Sequence, residues 1–333
     1  MTRETMGVTL ALAGDTMLGR KVGERLRSLG SGEDPTSALF SPELIDLTRA
    51  ADLFVLNLEC CISDRGERWP DPRKPFFFRA PPLAVETLQG LGVDAVTVAN
   101  NHALDYQAEA LLDTCAYLDQ AGITHVGAGA NLADARAPAL LTAQGLRLGV
   151  VAFSDHPADF AAGPGRPGVA YVELRGGLPD WLTSTVGELT VDVVLVTPHW
   201  GPNMTTEPVP HVRRAAEALA SAGAGLVAGH SAHAFHGTTM RGEVPLLFDL
   251  GDFVDDYAVD PAVRNDLGLL WLVTIDEGRP RRIEAVPLAL DYCRTRLADE
   301  EEAALIGELF ARRNRALGTD VTSEGNRLVV SLT

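Results

Sequence analysis

Lysine is nearly missing from this chain of 333 residues, with Lys21 and Lys74 as the only two, and arginine carries the rest of the positive charge. With 28 Lys plus Arg against 45 Asp plus Glu, the formal net charge is −17. A field of that sign repels polyanions and leaves no basic stripe to release counterions from DNA or RNA, so nucleic acid is not an expected partner. Cysteine is scarce as well: Cys60 and Cys61 are adjacent, and Cys115 and Cys293 stand alone. That pattern gives neither a disulfide framework nor a Cys-x-x-Cys zinc spacing, and reduced thiols are expected. Long apolar runs are absent. The first, Val8 to Ala13, is too short for a signal-peptide core or a membrane span and leads directly into a polar motif. The expectation is the first core strand of a cytoplasmic protein with no membrane partner. Repeats, heptads and low-complexity tracts are also lacking.

What remains is an ordinary globular composition, 46% hydrophobic and 22% charged, with enough apolar side chains for one large core. Apolar runs of strand length, "VTLALAG", "DLFVLNLE", "DAVTVAN", "LRLGVVAFS", "DVVLVTPHW" and "AGLVAGH", alternate with segments of helical period. The clearest helix is 105–121, with Leu104, Ala108, Leu111, Leu112, Cys115 and Leu118 on one face and Gly122 as its stop. Others are expected at about 210–222 and 298–317. This alternation implies a layered α/β architecture. Two proline-rich stretches, 60–82 and 154–168, read as long ordered loops, the second a candidate lid.

The polar residues fall where the apolar runs stop. Asp15, Glu59, the Asn100-Asn101-His102 triplet, His199 and His230 each end one run, and His233 and His236 follow closely. In an open α/β sheet the carboxyl ends of the strands share an edge where ligands bind, so five such endings make a candidate site. Any one of them alone would read as a turn or a helix cap.

The segments "GDTMLGR" (14–20), "NLE" (57–59), "ANNHALDY" (99–106), "TPHWGPN" (197–203), "GHSAH" (229–233) and "LFDLGDFVDDY" (247–257) resemble the poly-γ-glutamate capsule biosynthesis (CapA) family. That family in turn resembles the calcineurin-like metallophosphoesterases. The resemblance implies a four-layered α/β/β/α sandwich, with 1–290 as the catalytic domain and 291–333 as a helix and strand packed on it. It also implies a divalent centre of one or two ions, Mn²⁺, Fe²⁺ or Zn²⁺, held by Asp15, Glu59, Asn101, His199, His230 and His233. Glu59 takes the place of a bridging aspartate. His102 becomes the general acid, oriented by Asp105. Met17 stands where the phosphoesterases carry a histidine ligand, and a thioether suits a hard or borderline cation poorly.

Around this centre, Asn100, Asp252 and Asp256 are candidate braces for the ligands, within an acidic group that includes Asp249 and Asp255. Arg79, Arg264 and the Arg73-Lys74 pair are candidate contacts for an anionic small-molecule or peptide substrate, because guanidinium binds carboxylate or phosphate in bidentate fashion. Trp200, Asn203 and His236 are expected near the pocket, whereas His125, His156 and His211 read as structural or exposed. The leading functional reading is a metal-dependent hydrolase of a phosphoester or a γ-glutamyl or peptide-type bond, with bound water as nucleophile. A metal-independent acid/base isomerase, such as a peptide epimerase using Asp15, His102, His230 and His233, is a second reading. A binding subunit of a biosynthetic complex is a third.

Overall fold

The computed structural model describes residues 7–332; Met1 to Met6, at the head of the first run, and Thr333 lie outside them. The strands of the two large sheets are, in chain order, β1 (Val8–Thr16), β2 (Leu53–Leu58), β3 (Ala95–Thr97), β4 (Thr124–Val126), β5 (Ala139–Ala143), β6 (Leu146–Ser154), β7 (Val193–His199) and β8 (Leu226–Ala228). They continue as β9 (Thr238–Arg241), β10 (Val244–Leu247), β11 (Asp252–Val254), β12 (Leu267–Asp276), β13 (Arg279–Asp291), β14 (Arg294–Leu297), β15 (Val321–Glu324) and β16 (Arg327–Val330). Ten form one sheet in the order β15-β16-β13-β12-β1-β2-β3-β4, with β11 also on β1 and β14 on β13. Six form the other, in the order β9-β10-β8-β7-β6-β5. Strands β1 to β4 run parallel in the first sheet, and β6, β7, β8 and β10 run parallel in the second. Their carboxyl ends therefore lie along shared edges.

Alternation along β7 shows the layering. Val193 and Leu195 join the core between the sheets, with Leu148 and Val150 of β6 and Leu10 and Leu12 of β1. Val194 and Val196 face the other way, under the helices Asp180–Glu188 and Pro210–Ala222, where they meet Leu182, Val186, Val212 and Leu219. A strand buried on both faces loses the polar alternation of a surface strand, which is why "VVLV" is continuous. Helices Arg20–Arg27, Pro42–Arg49, Ala84–Gly90 and Gln107–Ala121 cover the ten-stranded sheet. The molecule is an α/β/β/α sandwich.

Helix Gln107–Ala121 ends at Gly122, whose φ of +72° supplies the left-handed cap. It begins two residues later than its apolar period suggests, because 102–106 form turns that present His102 and Asp105. Leu112, expected on the buried face, is 39% exposed; Ala110 and Thr114 are buried in the helix. Helix Glu300–Arg315 starts with a capping box between Asp299 and Glu302. Its far end ties down the segment after "GHSAH". Arg313 donates to the carbonyls of Phe235 (2.5 Å) and Val263 (3.3 Å), and Asn314 Oδ1 accepts from the N–H (2.9 Å) and Oγ1 (2.6 Å) of Thr238. The four cysteines are buried free thiols. Among the described residues no helix is long and apolar enough to cross a membrane.

Candidate metal centre and adjoining cavity

Strand register brings the site together. Asp15, at the end of β1, sits opposite Asn57 of β2 on one side and Asp252 of β11 on the other, and His199 of β7 bridges to His230. Two glycines make the approach sterically feasible. A Cβ on Gly14 would lie 1.9 Å from the Gly251 carbonyl oxygen, and one on Gly229 would lie 2.6 Å from that of Phe248. Hence "GD" and "GH" are pairs in which the glycine lets the next side chain reach the centre. Ser231 and His233 adopt φ of +120° and +58°, the turn that aims both His230 and His233 at Asp15.

Asp15 is the shared element. Its Oδ1 accepts from Asn57 Nδ2 at 2.6 Å and lies 3.5 Å from His230 Nδ1 and 3.9 Å from His199 Nδ1. Its Oδ2 accepts from the Ser231 N–H at 3.2 Å and lies 3.3 Å from His233 Nδ1. Two buried donor sets result, Asp15 with His199 and His230, and Asp15 with Glu59 and His233, each with its ligand atoms within 4.8 Å of one another. The expectation for Glu59 as the bridging carboxylate differs from this geometry, in which Asp15 belongs to both sets. Glu59 Oε1, Asn101 Oδ1 and the Nε2 atoms of His199 and His230 are buried without a hydrogen-bond partner. Such orphaned acceptors are costly unless a cation or water completes them. Oxygen and imidazole donors without thiolate suit Mn²⁺, Fe²⁺ or Zn²⁺. Met17 is not among them; it is buried, and its Sδ accepts from the Gly19 N–H at 3.2 Å.

His102 stands beside this cluster, its Nδ1 2.6 Å from Asp105 Oδ2 and its Nε2 3.8 Å from Glu59 Oε1. Phe78 stacks on the imidazole with centroids 3.7 Å apart, and the Phe78 N–H donates to the same Asp105 oxygen at 2.6 Å. Lys74 Nζ pairs with Asp105 Oδ1 at 2.8 Å and donates to the Asn101 carbonyl at 2.9 Å. A hydrogen-bond chain links the two halves: Asn57 Oδ1 accepts from Asn100 Nδ2 at 3.0 Å, and Asn100 Oδ1 accepts from the His102 N–H at 3.0 Å. Asn57, which joins Asp15 to this chain, escaped the sequence reading because it lies inside a strand rather than at its end.

Burial dominates the electrostatics. It brings His230 down to about 3 and His102 to about 4, and holds His199 well below the usual imidazole range. Burial and then the Asp15 charge hold Glu59 well above the carboxylate range, and burial raises Asp15, Asp249 and Asp252. For His233 burial works downward, but the charges of Glu59 and Asp15 outweigh it and raise the group. Burial thus favours the protonated form of the cluster's carboxylates, and the charges of Glu59 and Asp15 favour that of His233, whereas burial holds His199 and His230 in the neutral form. A divalent cation must displace the retained protons, so its uptake should release them and its affinity should rise with pH. Calorimetric titration with Mn²⁺ in two buffers of different ionisation enthalpy measures the count. An identical apparent enthalpy in both, meaning no proton released, would contradict this assignment.

The structure spreads the other expected residues widely. Asp252 braces His233, with Oδ1 2.8 Å from Nδ1, and Asn203 Nδ2 lies 3.2 Å from His233 Nε2. Asp256 braces no histidine; its Oδ2 accepts from the Lys21 N–H at 2.9 Å and lies 3.3 Å from Arg20 Nε. Trp200 is buried and donates its indole N–H to the Phe248 carbonyl at 2.8 Å, packing in the core under the outer helices rather than lining the cavity. His236 is an interior residue, brought to about 4 by burial, with Nε2 3.0 Å from the Thr205 carbonyl oxygen. Arg79 lies over the Tyr106 ring at 4.0 Å and donates to the carbonyls of Arg65 and Gly66. Arg264 is paired with Asp266 at 2.7 Å, and Arg73 with Asp71 at 3.1 Å. His156, read as an exposed loop residue, brings its ring within 5.2 Å of His199. A cavity of about 290 Å³ opens over His102 and His233, walled by Phe76, Phe78, Tyr257 and Arg20. A cleft of about 640 Å³ lined by His156, Arg175 and His211 adjoins it at Asn203.

The fold is shared with a phosphatase from Mycoplasma pneumoniae, with a TM-score of 0.52 at 11% identity over 91% of this chain and 99% of that one. The likeness is one of fold, the α/β/β/α sandwich. In sequence, a probable polyglutamine synthesis accessory protein of Mycobacterium tuberculosis is 31% identical, over 97% of this chain and 95% of its own length. The capsule biosynthesis protein CapA of Bacillus anthracis is 28% identical over 76% of this chain and 61% of its own. The family model described as bacterial capsule synthesis protein PGA_cap matches residues 9–257, a span that contains Asp15, Glu59, His102, His199, His230 and His233, and this chain belongs to that family.

Proposed function

We propose that this protein is a divalent-metal-dependent hydrolase acting on an anionic substrate, a phosphoester or a γ-glutamyl or peptide-type bond. The observation that carries the reading is the pair of buried donor sets sharing Asp15, with orphaned acceptors beside an Asp-braced histidine. Asp15, Glu59, His199, His230 and His233 would hold the metal, and the buried, unpartnered Oδ1 of Asn101 is a further donor. A divalent ion at such a site supplies Lewis acidity to the scissile oxygen and lowers the pKa of water. The chain's own residues do the rest. Asp105 fixes the His102 ring through Nδ1, Phe78 covers one face of it, and Nε2 is left to give a proton to the leaving group. γ-Glutamyl peptides are the first substrates to assay, a choice supported by relatives named for capsule biosynthesis and polyglutamine synthesis.

EDTA should abolish turnover of γ-glutamyl and phosphoester substrates, and Mn²⁺ or Zn²⁺ should restore it. The isomerase reading makes the opposite forecast. Turnover that persists in EDTA while deuterium from solvent enters a substrate carbon would replace the hydrolase with a proton-transfer enzyme.

A further inference from the structure

The cations that sequence position nominated for substrate contact are engaged elsewhere, yet one cation does line the cavity over His102. Arg20 closes the motif "GDTMLGR" and opens the helix Arg20–Arg27 with a φ of +45°. A non-glycine residue in the left-handed region is strained and persists where its surroundings impose it. Here Asp256 imposes it, taking the Lys21 N–H at 2.9 Å and lying 3.3 Å from Arg20 Nε. The result aims the guanidinium at an aromatic wall, its carbon 5.3, 5.6 and 6.0 Å from the ring centroids of Phe76, Phe78 and Tyr257.

Three features distinguish this arginine from a structural one. Asp256 engages only its Nε side, and among the described residues its terminal Nη groups make no hydrogen bond. Its side chain is 34% exposed while that of Asp256 is fully buried, so the ion pair orients the guanidinium without covering its fork. Phe78 touches both groups, its ring 5.6 Å from the Arg20 guanidinium carbon and stacked on the His102 imidazole at 3.7 Å, so Arg20 stands within one ring of His102. A planar fork with open donors, fixed beside an apolar wall, is the arrangement that selects an oxyanion bidentately.

We propose that Arg20 is a substrate-binding residue that recognises an anionic group, carboxylate or phosphate, next to the bond presented to His102. This rests on the hydrolase reading for the nature of that bond, but the contact itself needs no turnover. The recognised chemistry is two acceptor oxygens in one plane, which the free α-carboxylate of a γ-glutamyl peptide and a phosphate both offer.

Binding to EDTA-treated protein by calorimetry, in buffer free of other oxyanions, separates these cases. The probes are γ-glutamylglycine, its analogue with the α-carboxylate capped as an amide, and inorganic phosphate. Arg20→Gln should weaken the binding of one oxyanion probe by about 10- to 100-fold, the range for a charge-assisted pair. Arg20→Lys should recover part of that loss. A carboxylate site shows itself when capping the wild-type probe costs as much as Arg20→Gln, and a phosphate site when only phosphate responds. Unchanged affinity for both oxyanions in Arg20→Gln, or no binding of either to the wild type, overturns the proposal. Melting temperatures of both variants report whether the fold is kept, and an unfolded Arg20→Gln leaves Arg20→Lys to decide. If binding depends on Arg20 but no probe is ever cleaved with metal restored, the hydrolase reading falls and the contact stands.

Discussion

Asp15→Asn should empty both donor sets at once, whereas Glu59→Gln and His230→Ala should each empty one. The asymmetry follows from geometry, because Asp15 Oδ1 faces His199 and His230 while Oδ2 faces His233. Asparagine keeps the shape and can still accept from Asn57, but its amide replaces the oxygen that takes the Ser231 N–H. That mismatch costs about 1–3 kcal/mol, too little to unfold a sandwich of this size. Losing the Lewis acid costs several kcal/mol of transition-state stabilisation, or about 10³-fold in kcat. Metal content by mass spectrometry, beside kcat, is the measurement. If Asp15→Asn binds as much metal as His230→Ala, the two sets do not share a carboxylate.

The strand ends of the site were legible in the sequence because they rest on a local signal, a short apolar run stopped by a donor residue. "DLFVLNLE", "LRLGVVAFS" and "DVVLVTPHW" contain β2, β6 and β7, and "VTLALAG" covers β1 up to Asp15, so that the strand ends deliver Asp15, Glu59 and His199 to neighbouring positions. The helix Pro210–Ala222 was legible from its period and the glycine after it. The antiparallel hairpin of β12 and β13 was not, although it is the longest strand pair in the molecule. Strand β12 is an almost continuous apolar run whose period does not separate strand from buried helix, β13 opens on charged residues and proline, and the pairing of β12 with β1 joins segments far apart in the chain.

The substrate cations were the least legible, for a related reason. Guanidinium chemistry suggested Arg79 and Arg264, but an arginine's role depends on which carboxylate or carbonyl reaches it first. Asp266 lies two residues from Arg264 and claims it, and the carbonyls of 65 and 66 claim Arg79. Arg20 lies against Phe76 and Phe78 because the loop 60–82 folds back beside the end of β1, and against Tyr257 because β11 pairs with β1, contacts no spacing rule encodes. Lys74, in that same loop, is drawn to Asp105 and so acts on His102 rather than on substrate.

His102→Ala should lower kcat by about 10² to 10⁴, the range for a general acid, with metal content intact. The structure supports separating the two readouts. His102 belongs to neither donor set, and its Nε2 stands 3.8 Å from Glu59. Asp105→Asn should act through His102, costing about 10- to 100-fold, as loss of an orienting partner commonly does. The pH dependence gives a third readout with a definite sign. Burial brings His102 to about 4, Asp105 opposes that, and the Lys74 charge adds to the lowering. A general acid must be protonated, so with His102 brought to about 4 the descending limb lies in the acid range, where activity should drop as His102 loses its proton. Lys74→Met removes a neighbouring positive charge, which raises the pKa of His102 and should move that limb to higher pH. A limb that moves to lower pH, or metal lost from His102→Ala, would remove His102 from the role of proton donor and place it among the ligands.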